Sequence, residues 1–469
     1  MLNYSATYTD QYQLTMAEVY FQKNRHNKKA VFDYFFRKPP FNSGYTVFAG
    51  LDTLLDILEN FRFTQEDIDF LYKQKLNDSF LDFLKQYRFS GDVYSAKEGE
   101  IVFPTEPVLT VEAEMLDAQL VETLLLNVLN FQSLIATKAA RMRQVAGDRG
   151  LIDFGLRRAQ SAGAYHAARA AIIGGFNATS NVVAGKDFGI AVSGTMAHSL
   201  IQSYEDELTA FRHFAEIRPH DCVLLVDTYN TLKSGLPNAI KVAKEMEARG
   251  QQLKGIRLDS GDLAFLSRKA RKMLDDAGLQ YVKIAASNQL DECLIKSLNE
   301  QGAQIDLFGV GTSLVTGQPD SALDGVFKLA AYDDAPRIKI SESTAKITLP
   351  GQKQVYRMTG ENGVFVGADA VCMKTDDALE KMYHPFDKLK SMNVKDFNKE
   401  PLLHKVMSAG KRLQKQQPLT SIQQYASNRI GQLPAEYKRF ENPHIYKVGL
   451  SEKLNSLRND LIHEHLDNL

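Results

Sequence analysis

At 469 residues the chain is longer than one hydrophobic core usually organises, so two or three domains are expected. A net charge of −1, with 24% charged residues of both signs, leaves no global field to gather nucleic acid or an anionic membrane. Three scattered cysteines (Cys222, Cys293, Cys372) argue against a disulfide framework or a closed metal site; no apolar run is long enough to span a membrane, and the N-terminus MLNYSATYTDQYQ lacks a targeting pattern, so a cytoplasmic location is expected.

In chain order, a helix-like pattern follows Thr9 or Asp10 and runs through Tyr20, carrying Tyr12 in its first turn. Residues 30–37 (AVFDYFFR) form an aromatic-rich strand candidate stopped by Pro39-Pro40 and a Gly44 turn. Leu51, Leu54, Leu55 and Leu58 fall at helical spacing, and 89–112 turn to short strands of a small antiparallel sheet. A long helix over 115–145 is apolar nearly all round at 120–129, which calls for burial.

After Gly150 the pattern becomes a repeat of short apolar strand, polar loop and amphipathic helix. Strands are expected at 151–154, 189–192, 223–226, 255–258, 282–286 and 305–310, and helices at 160–173, 237–249, 263–277 and 290–299. Such alternation predicts parallel βα units, with an α/β barrel as the leading closure and an open doubly wound sheet as the alternative. Within this repeat, Ile201, Tyr204, Leu208 and Phe211 predict one amphipathic helix after the turn Ser193-Gly194-Thr195, with His198 in its first turn. A histidine there suits a nucleophile or proton carrier beside phosphate, or simply a structural residue.

Polar residues recur at the strand ends: Asp153 with Arg157, Ser193 with Thr195 and His198, Asp227, Arg257 with Asp259 and Asp262, Ser287-Asn288, and Gly309-Gly311-Thr312. Parallel strands open their C-terminal ends on one face, so this recurrence predicts one shared site. In Gly309-Val310-Gly311-Thr312-Ser313 the glycines permit close backbone approach and the N–H groups and Thr312 hydroxyl suit a phosphate. No Walker-type run exists to hold ATP. In IRLDSGDL, Arg257 suits a carboxylate or phosphate and the acids suit ribose hydroxyls or Mg²⁺; an ion pair capping the next helix is the plainer alternative. Beyond 327 the chain turns to strands again, and 375–469 has helix-like pieces at 401–414 and 451–466.

The set TDQYQLTM, DFGLRRAQ, SGTMAHS, VDTYNTLKSG, IRLDSGDL and FGVGTSLVT, in order from about residue 8 to 316, resembles nicotinate phosphoribosyltransferase. The resemblance implies an irregular α/β barrel beside an α/β sandwich with a mixed or antiparallel sheet. On that basis the segments are a sandwich domain (1–149), a barrel domain with the active site (150–326), return strands to the sandwich (327–374) and a mainly helical C-terminal appendage (375–469), where no motif matches.

The same resemblance implies an ATP-dependent enzyme of the ligase class at the entry to NAD biosynthesis. Nicotinate and 5-phosphoribosyl 1-diphosphate would give nicotinate mononucleotide, with ATP as co-substrate, Mg²⁺ as cofactor and His198 as the phosphorylated residue. Tyr12, Thr195 and Arg257 fall on nicotinate-contacting positions and Thr312, beside Gly311, on the phosphoribosyl-phosphate position. Phe154 would stack on the pyridine and Arg157 meet phosphate; Asp227, Asp259 and Asp262 would line the ribose and metal region, Asp259 as a catalytic acid and Asp259 and Asp262 as metal candidates. A homodimer with shared sites is implied, completed by the segment carrying Tyr12. The alternatives are a nicotinamide-using or other phosphoribosyltransferase, or a non-catalytic nucleotide-binding relative. An open-sheet phosphoribosyltransferase would show two adjacent acids where this chain has Asp227-Thr228.

Overall fold

The computed structural model describes residues 4–376 and 378–467; residues 1–3, 377, 468 and 469 of the segments delimited above lie outside it. The chain divides into two compact units, one made of residues up to Thr137 and from Ala322 onward, the other of Lys138–Ser321. Among the described residues no helix is long and apolar enough to cross a membrane.

The second unit is built on six parallel strands. Their order is Ala178–Thr179, Gly150–Asp153, Leu307–Val310, Lys283–Ser287, Gly255–Leu258 and Val223–Leu225. Ile256, Leu258, Ile284, Ala286, Phe308 and Val310 are buried, as strands covered on both faces require. The intervening helices bury one stripe each: Leu236, Ala239, Val242, Ala243 and Met246 in Leu236–Glu247, and Leu263, Ala264, Ala270 and Leu274 in Leu263–Asp276. An acid caps Leu263–Asp276, Asp262 accepting from Phe265 N at 2.9 Å, and another caps Glu292–Glu300, Asp291 accepting from Leu294 N at 2.7 Å.

The parallel α/β sheet expected here is present, with a linear hydrogen-bonded strand order among the described residues; its edge positions are Ala178–Thr179, extended by a single bridge to Val192, and Val223–Leu225. Three local expectations are corrected. The segment 189–192 is therefore not a full strand. The single helix through Ile201 and Phe211 is two, His198–Gln202 and Glu207–Ile217. Asp206 causes the break: extended in backbone, it caps the second helix by accepting from Thr209 N at 2.9 Å. The segment 401–414 is not helical but supplies the strands His404–Ser408 and Lys411–Arg412.

The other unit holds two larger sheets. A seven-stranded antiparallel sheet has the order Ala335–Pro336, Gly325–Tyr332, Lys29–Phe36, Leu109–Glu114, Asp92–Ser95, His404–Ser408, Lys411–Arg412, so the chain does return after 321 to pair with its first strand. Its core gathers Phe32, Phe36, Phe48, Leu54, Leu58, Phe61, Phe80 and Val111. The second sheet is mixed, with Phe365–Met373 parallel to Lys447–Ser451 and antiparallel to Lys353–Thr359. Residues from 375 on add Lys381–Tyr383, Ser391–Asn393, Asn398–Pro401 and Lys447–Ser451 to it, so this region is a partner in the sheet, and the helices Leu419–Gln432 and Glu452–Asp467 are its helical part.

Candidate active site

The C-terminal ends of the parallel strands open into one cavity of about 610 Å³. Phe154, Arg157, Thr195, Arg257, Asp259, Gly311 and Thr312, all expected from the sequence, line it. Asp153, at the end of its strand, is a buried support: it accepts from Gly155 N and from Thr179 Oγ1, both at 2.7 Å, and burial pushes its carboxyl above the usual range. These bonds shape the turn that delivers Phe154 and Arg157. The Phe154 ring lies against the bare Cα of Gly309, where a side chain's Cβ would come within 2.4 Å of it; only glycine leaves the ring that place.

Arg257 reaches from its strand to donate from Nη1 to Thr195 Oγ1 at 2.6 Å, while its Nε is buried without a hydrogen-bond partner among the described residues. Burial pulls this guanidinium below its ordinary pKa, against the opposing effect of Asp259 and Asp227 and with the help of the nearby charge on Arg157. A planar cation with a spare donor, beside a hydroxyl and a second guanidinium, is a receptor for a carboxylate or phosphate.

The acids are differentiated by their partners. Asp227 Oδ2 accepts from Asp259 N at 2.9 Å and Ser260 Oγ at 2.5 Å, whereas its Oδ1 is buried with no hydrogen-bond partner among the described residues. Asp259 Oδ1 accepts from Ser287 Oγ, and its Oδ2 stands 4.0 Å from His198 Nε2. The other side of the imidazole, Nδ1, is 3.0 Å from Thr228 Oγ1. Asp262, in contrast, is engaged as the cap of the next helix across a turn whose Gly261 has φ +78°. Tyr12 does not line this cavity; it is half-exposed in the first turn of the helix Gln11–Gln22, in the other unit. Among the described residues no three His, Cys, Asp or Glu side chains gather as a metal cage.

Comparison with known proteins decides the family. Residues 7–130 match the nicotinate phosphoribosyltransferase (NAPRTase) N-terminal domain, 150–388 the nicotinate phosphoribosyltransferase (NAPRTase) family and 352–458 the nicotinate phosphoribosyltransferase C-terminal domain. The chain is 47% identical to a nicotinate phosphoribosyltransferase of Bacillus subtilis (strain 168), over 97% of this chain and 95% of that one. This chain belongs to the nicotinate phosphoribosyltransferase family. A relative so named from Dictyostelium discoideum is 39% identical over 95% of this chain and 86% of its own. The crystal structure of human nicotinic acid phosphoribosyltransferase superposes with a TM-score of 0.87 at 30% identity, covering 97% of this chain and 99% of that one. A nicotinate-nucleotide pyrophosphorylase from Pyrococcus furiosus superposes at 0.71 with 27% identity, covering 91% and 95%.

Within this family site the sequence left some residues without a role. Arg158 and Gln289 also line the cavity, and Thr228 meets His198. Arg158 was signalled by its neighbour in GLRRAQ. Gln289 follows Asn288, both with positive φ (48° and 91°), a conformation that ordinary side chains adopt at a cost and that sequence does not announce.

Proposed function

We propose that the chain is an ATP-dependent nicotinate phosphoribosyltransferase, ligase class, forming nicotinate mononucleotide for NAD synthesis. In a chain of this family, the observation that carries the reading is Arg257, paired with Thr195 yet retaining a buried, unpartnered Nε in the cavity that Phe154 and Arg157 also line. Arg257 and Thr195 hold the nicotinate carboxylate, Phe154 takes the pyridine face, and Arg157 with Gly311 and Thr312 binds phosphate. The pyridine nitrogen lone pair bonds to the anomeric carbon as the carbon–oxygen bond to diphosphate breaks, its electron pair leaving on diphosphate. Asp227 and Asp259 stabilise the positive charge that develops on the ribose.

The acids also fit Mg²⁺, which takes one or two carboxylates and completes its shell with substrate oxygens. The orphaned Asp227 Oδ1 and Asp259 would hold it, and the ion when bound would neutralise charge on the departing diphosphate. Asp262 serves the helix instead.

His198 carries the phosphoryl group that couples ATP hydrolysis to synthesis, the role supported by its place between Thr228 and Asp259. Tyr12 completes the site of a second subunit in a homodimer, consistent with its exposure at 49%. The three unpaired cysteines suit a reducing cytoplasm.

The test combines the protein with nicotinate, 5-phosphoribosyl 1-diphosphate and Mg²⁺, with and without ATP. Mononucleotide should form and ATP should drive it further; γ-labelled ATP should leave acid-labile, base-stable label that His198→Ala lacks. Product from nicotinamide alone, or no product at all, would overturn the reading. For the dimer, mixing inactive Tyr12→Ala with inactive His198→Ala under subunit exchange should restore activity at the one intact site of each heterodimer. No recovery would mean that each site is built from one chain.

A further inference from the structure

We infer that the sheet-bearing unit holds an anion site of its own, a small cavity that takes one inorganic oxyanion of the phosphate or sulfate class, received by Arg37, Thr105, Lys328 and Thr348. The cavity has a volume of about 60 Å³, and its lining belongs wholly to the unit that ends at Thr137 and resumes at Ala322. Since a single water needs about 10–15 Å³ of such space, a tetrahedral ion fits and a nucleotide does not.

Strand alternation brings the charges together. Along Lys29–Phe36, Phe32, Tyr34 and Phe36 turn into the core, so Asp33, Phe35 and, one residue past the strand, Arg37 fall on the opposite face. Lys328 of the neighbouring strand pairs directly with Asp33 and shares that face. Asp33 is already engaged: it accepts from Thr110 Oγ1 at 2.7 Å and meets the buried Lys353 Nζ at 2.8 Å. Lys328 Nζ stands 3.5 Å from Glu122 Oε1. That leaves Arg37, whose Nε is buried without a hydrogen-bond partner among the described residues and whose guanidinium lies 5.8 Å over the Phe35 ring. Three cations thus stand against two carboxylates, and Arg37, the cation in excess, lines the cavity.

Two hydroxyls complete the receptor. Thr105 has φ +80°, in the left-handed region that a β-branched residue enters only at a cost and glycine enters freely. The turn is pinned in that shape by Thr105 N donating to Phe36 O at 2.9 Å and by Glu106 Oε1 accepting from Phe103 N at 2.9 Å. What threonine adds, where glycine would be unstrained, is a side chain on the cavity wall. Thr348, buried, accepts on Oγ1 from Lys339 N at 2.9 Å, which leaves its own proton to donate. A guanidinium, an ammonium and two hydroxyls match the oxygens of a tetrahedral anion, and the bound ion would tie the end of the first strand to the turn at 104–107 and to the segment 347–349. Water would serve the hydroxyls but leave the excess positive charge uncompensated, so an anion is the better occupant.

The experiment titrates full-length protein with inorganic phosphate in a calorimeter, at an ionic strength held constant with chloride. Phosphate also has a proposed place at Arg157 in the active-site cavity, so the titration is made on Arg157→Gln, alone and combined with Arg37→Gln or with Thr105→Gly. Arg157→Gln should retain a phosphate site, and adding Arg37→Gln should weaken it roughly tenfold or more, the scale of one lost charge-assisted hydrogen bond. Sulfate should compete for that site and glycerol phosphate, too large for the cavity, should not. Thr105→Gly relieves the backbone and removes the hydroxyl, so it should raise the melting temperature in phosphate-free buffer and also lower phosphate affinity; a rise in melting temperature with affinity unchanged would remove Thr105 from the site. Failure of Arg157→Gln to bind phosphate, binding unaltered by Arg37→Gln, or competition by glycerol phosphate would overturn the assignment.

Discussion

Two arginines, one buried and one half-buried, one in each unit, show how differently the same side chain can be used. Arg357 is fully buried and all three guanidinium nitrogens are engaged: Nε to Asp369 Oδ1 at 3.1 Å, Nη2 to Asp369 Oδ2 at 2.7 Å and Ile101 O at 2.6 Å, and Nη1 to Glu100 Oε1 at 2.6 Å. The rings of Phe365 and Phe103 lie 4.4 and 5.4 Å from its guanidinium carbon. Burial opposes its charge, yet Asp369, Tyr446 and Glu100 overcome that and hold its pKa well above the ordinary value. Arg257 has one hydroxyl, an orphaned Nε and a pKa below the ordinary value because burial wins. A guanidinium saturated by its own chain is structural; one kept short of partners is prepared for an anion that arrives later.

The largest expected effect breaks the saturated case. Arg357→Met leaves the buried Asp369 without its cation and Glu100 with Arg429 alone, so about 3–5 kcal/mol of unfolding free energy should be lost in denaturant titrations. A loss below about 1 kcal/mol would mean that the network is not holding Glu100 and Ile101 to the mixed sheet. Arg257→Lys should behave in the opposite way. Unfolding should change little, while kcat/KM for nicotinate falls by about 1.5–3 kcal/mol, because a point charge replaces a flat two-donor fork. Unchanged kcat/KM would remove Arg257 from the nicotinate site.

A third prediction sharpens the contrast inside the structural network. Glu100 is held below the usual carboxylate range: burial alone would raise it, but Arg357 and Arg429 prevail. Glu106, equally buried, accepts from Phe103 N at 2.9 Å and meets the carboxyl of Asp369. Burial, then the negative charge of Asp369, pushes Glu106 well above the usual range. The two acids give opposite slopes. For Glu100, stability is present above the unfolded pKa and lost as pH falls through its depressed folded value. For Glu106, the folded state keeps a proton that the unfolded state releases, so stability declines as pH rises from the unfolded pKa toward the raised folded one. Glu106→Gln, fixed neutral, should therefore gain on the wild type as pH rises from about 5 to 8, a span set by the ordinary glutamate pKa near 4.3. A constant difference across that range would mean that Glu106 is ionised in the fold.

Much of this arrangement was legible in the sequence, for a physical reason. Parallel strands buried on both faces are continuous apolar runs, and their helices begin at acids such as Asp262 and Asp291, so strand ends and the polar residues beyond them could be placed. The break at Asp206 was hidden because Glu205-Asp206-Glu207 reads equally well as a solvated helix face. The strand Asn398–Pro401 was hidden because an edge strand with no fully buried residue carries no alternation. Contacts between distant positions were out of reach: Glu100 meets Arg357 from 257 positions away, and Thr228 meets His198 from 30. Local pattern reports which face is buried, not which partner waits there.

The smallest expected effect separates two acids that lie three positions apart. The sequence offered Asp259 and Asp262 together as metal candidates, but Asp262 Oδ1 already accepts from Phe265 N at 2.9 Å, and the side chain is exposed. A capping carboxylate at the start of the 14-residue helix Leu263–Asp276 stabilises it both through that bond and by meeting the positive end of the helix dipole. Asp262→Ala should lower the unfolding free energy by about 0.5–2 kcal/mol, and Asp262→Asn, which keeps an acceptor, by much less. If the cap is the whole of its role, the Mg²⁺ concentration giving half-maximal nicotinate mononucleotide synthesis should be the same in the wild type and in both variants. A rise of tenfold or more in Asp262→Asn, with stability intact, would return Asp262 to the metal site and show that the helix and the ion compete for one carboxylate.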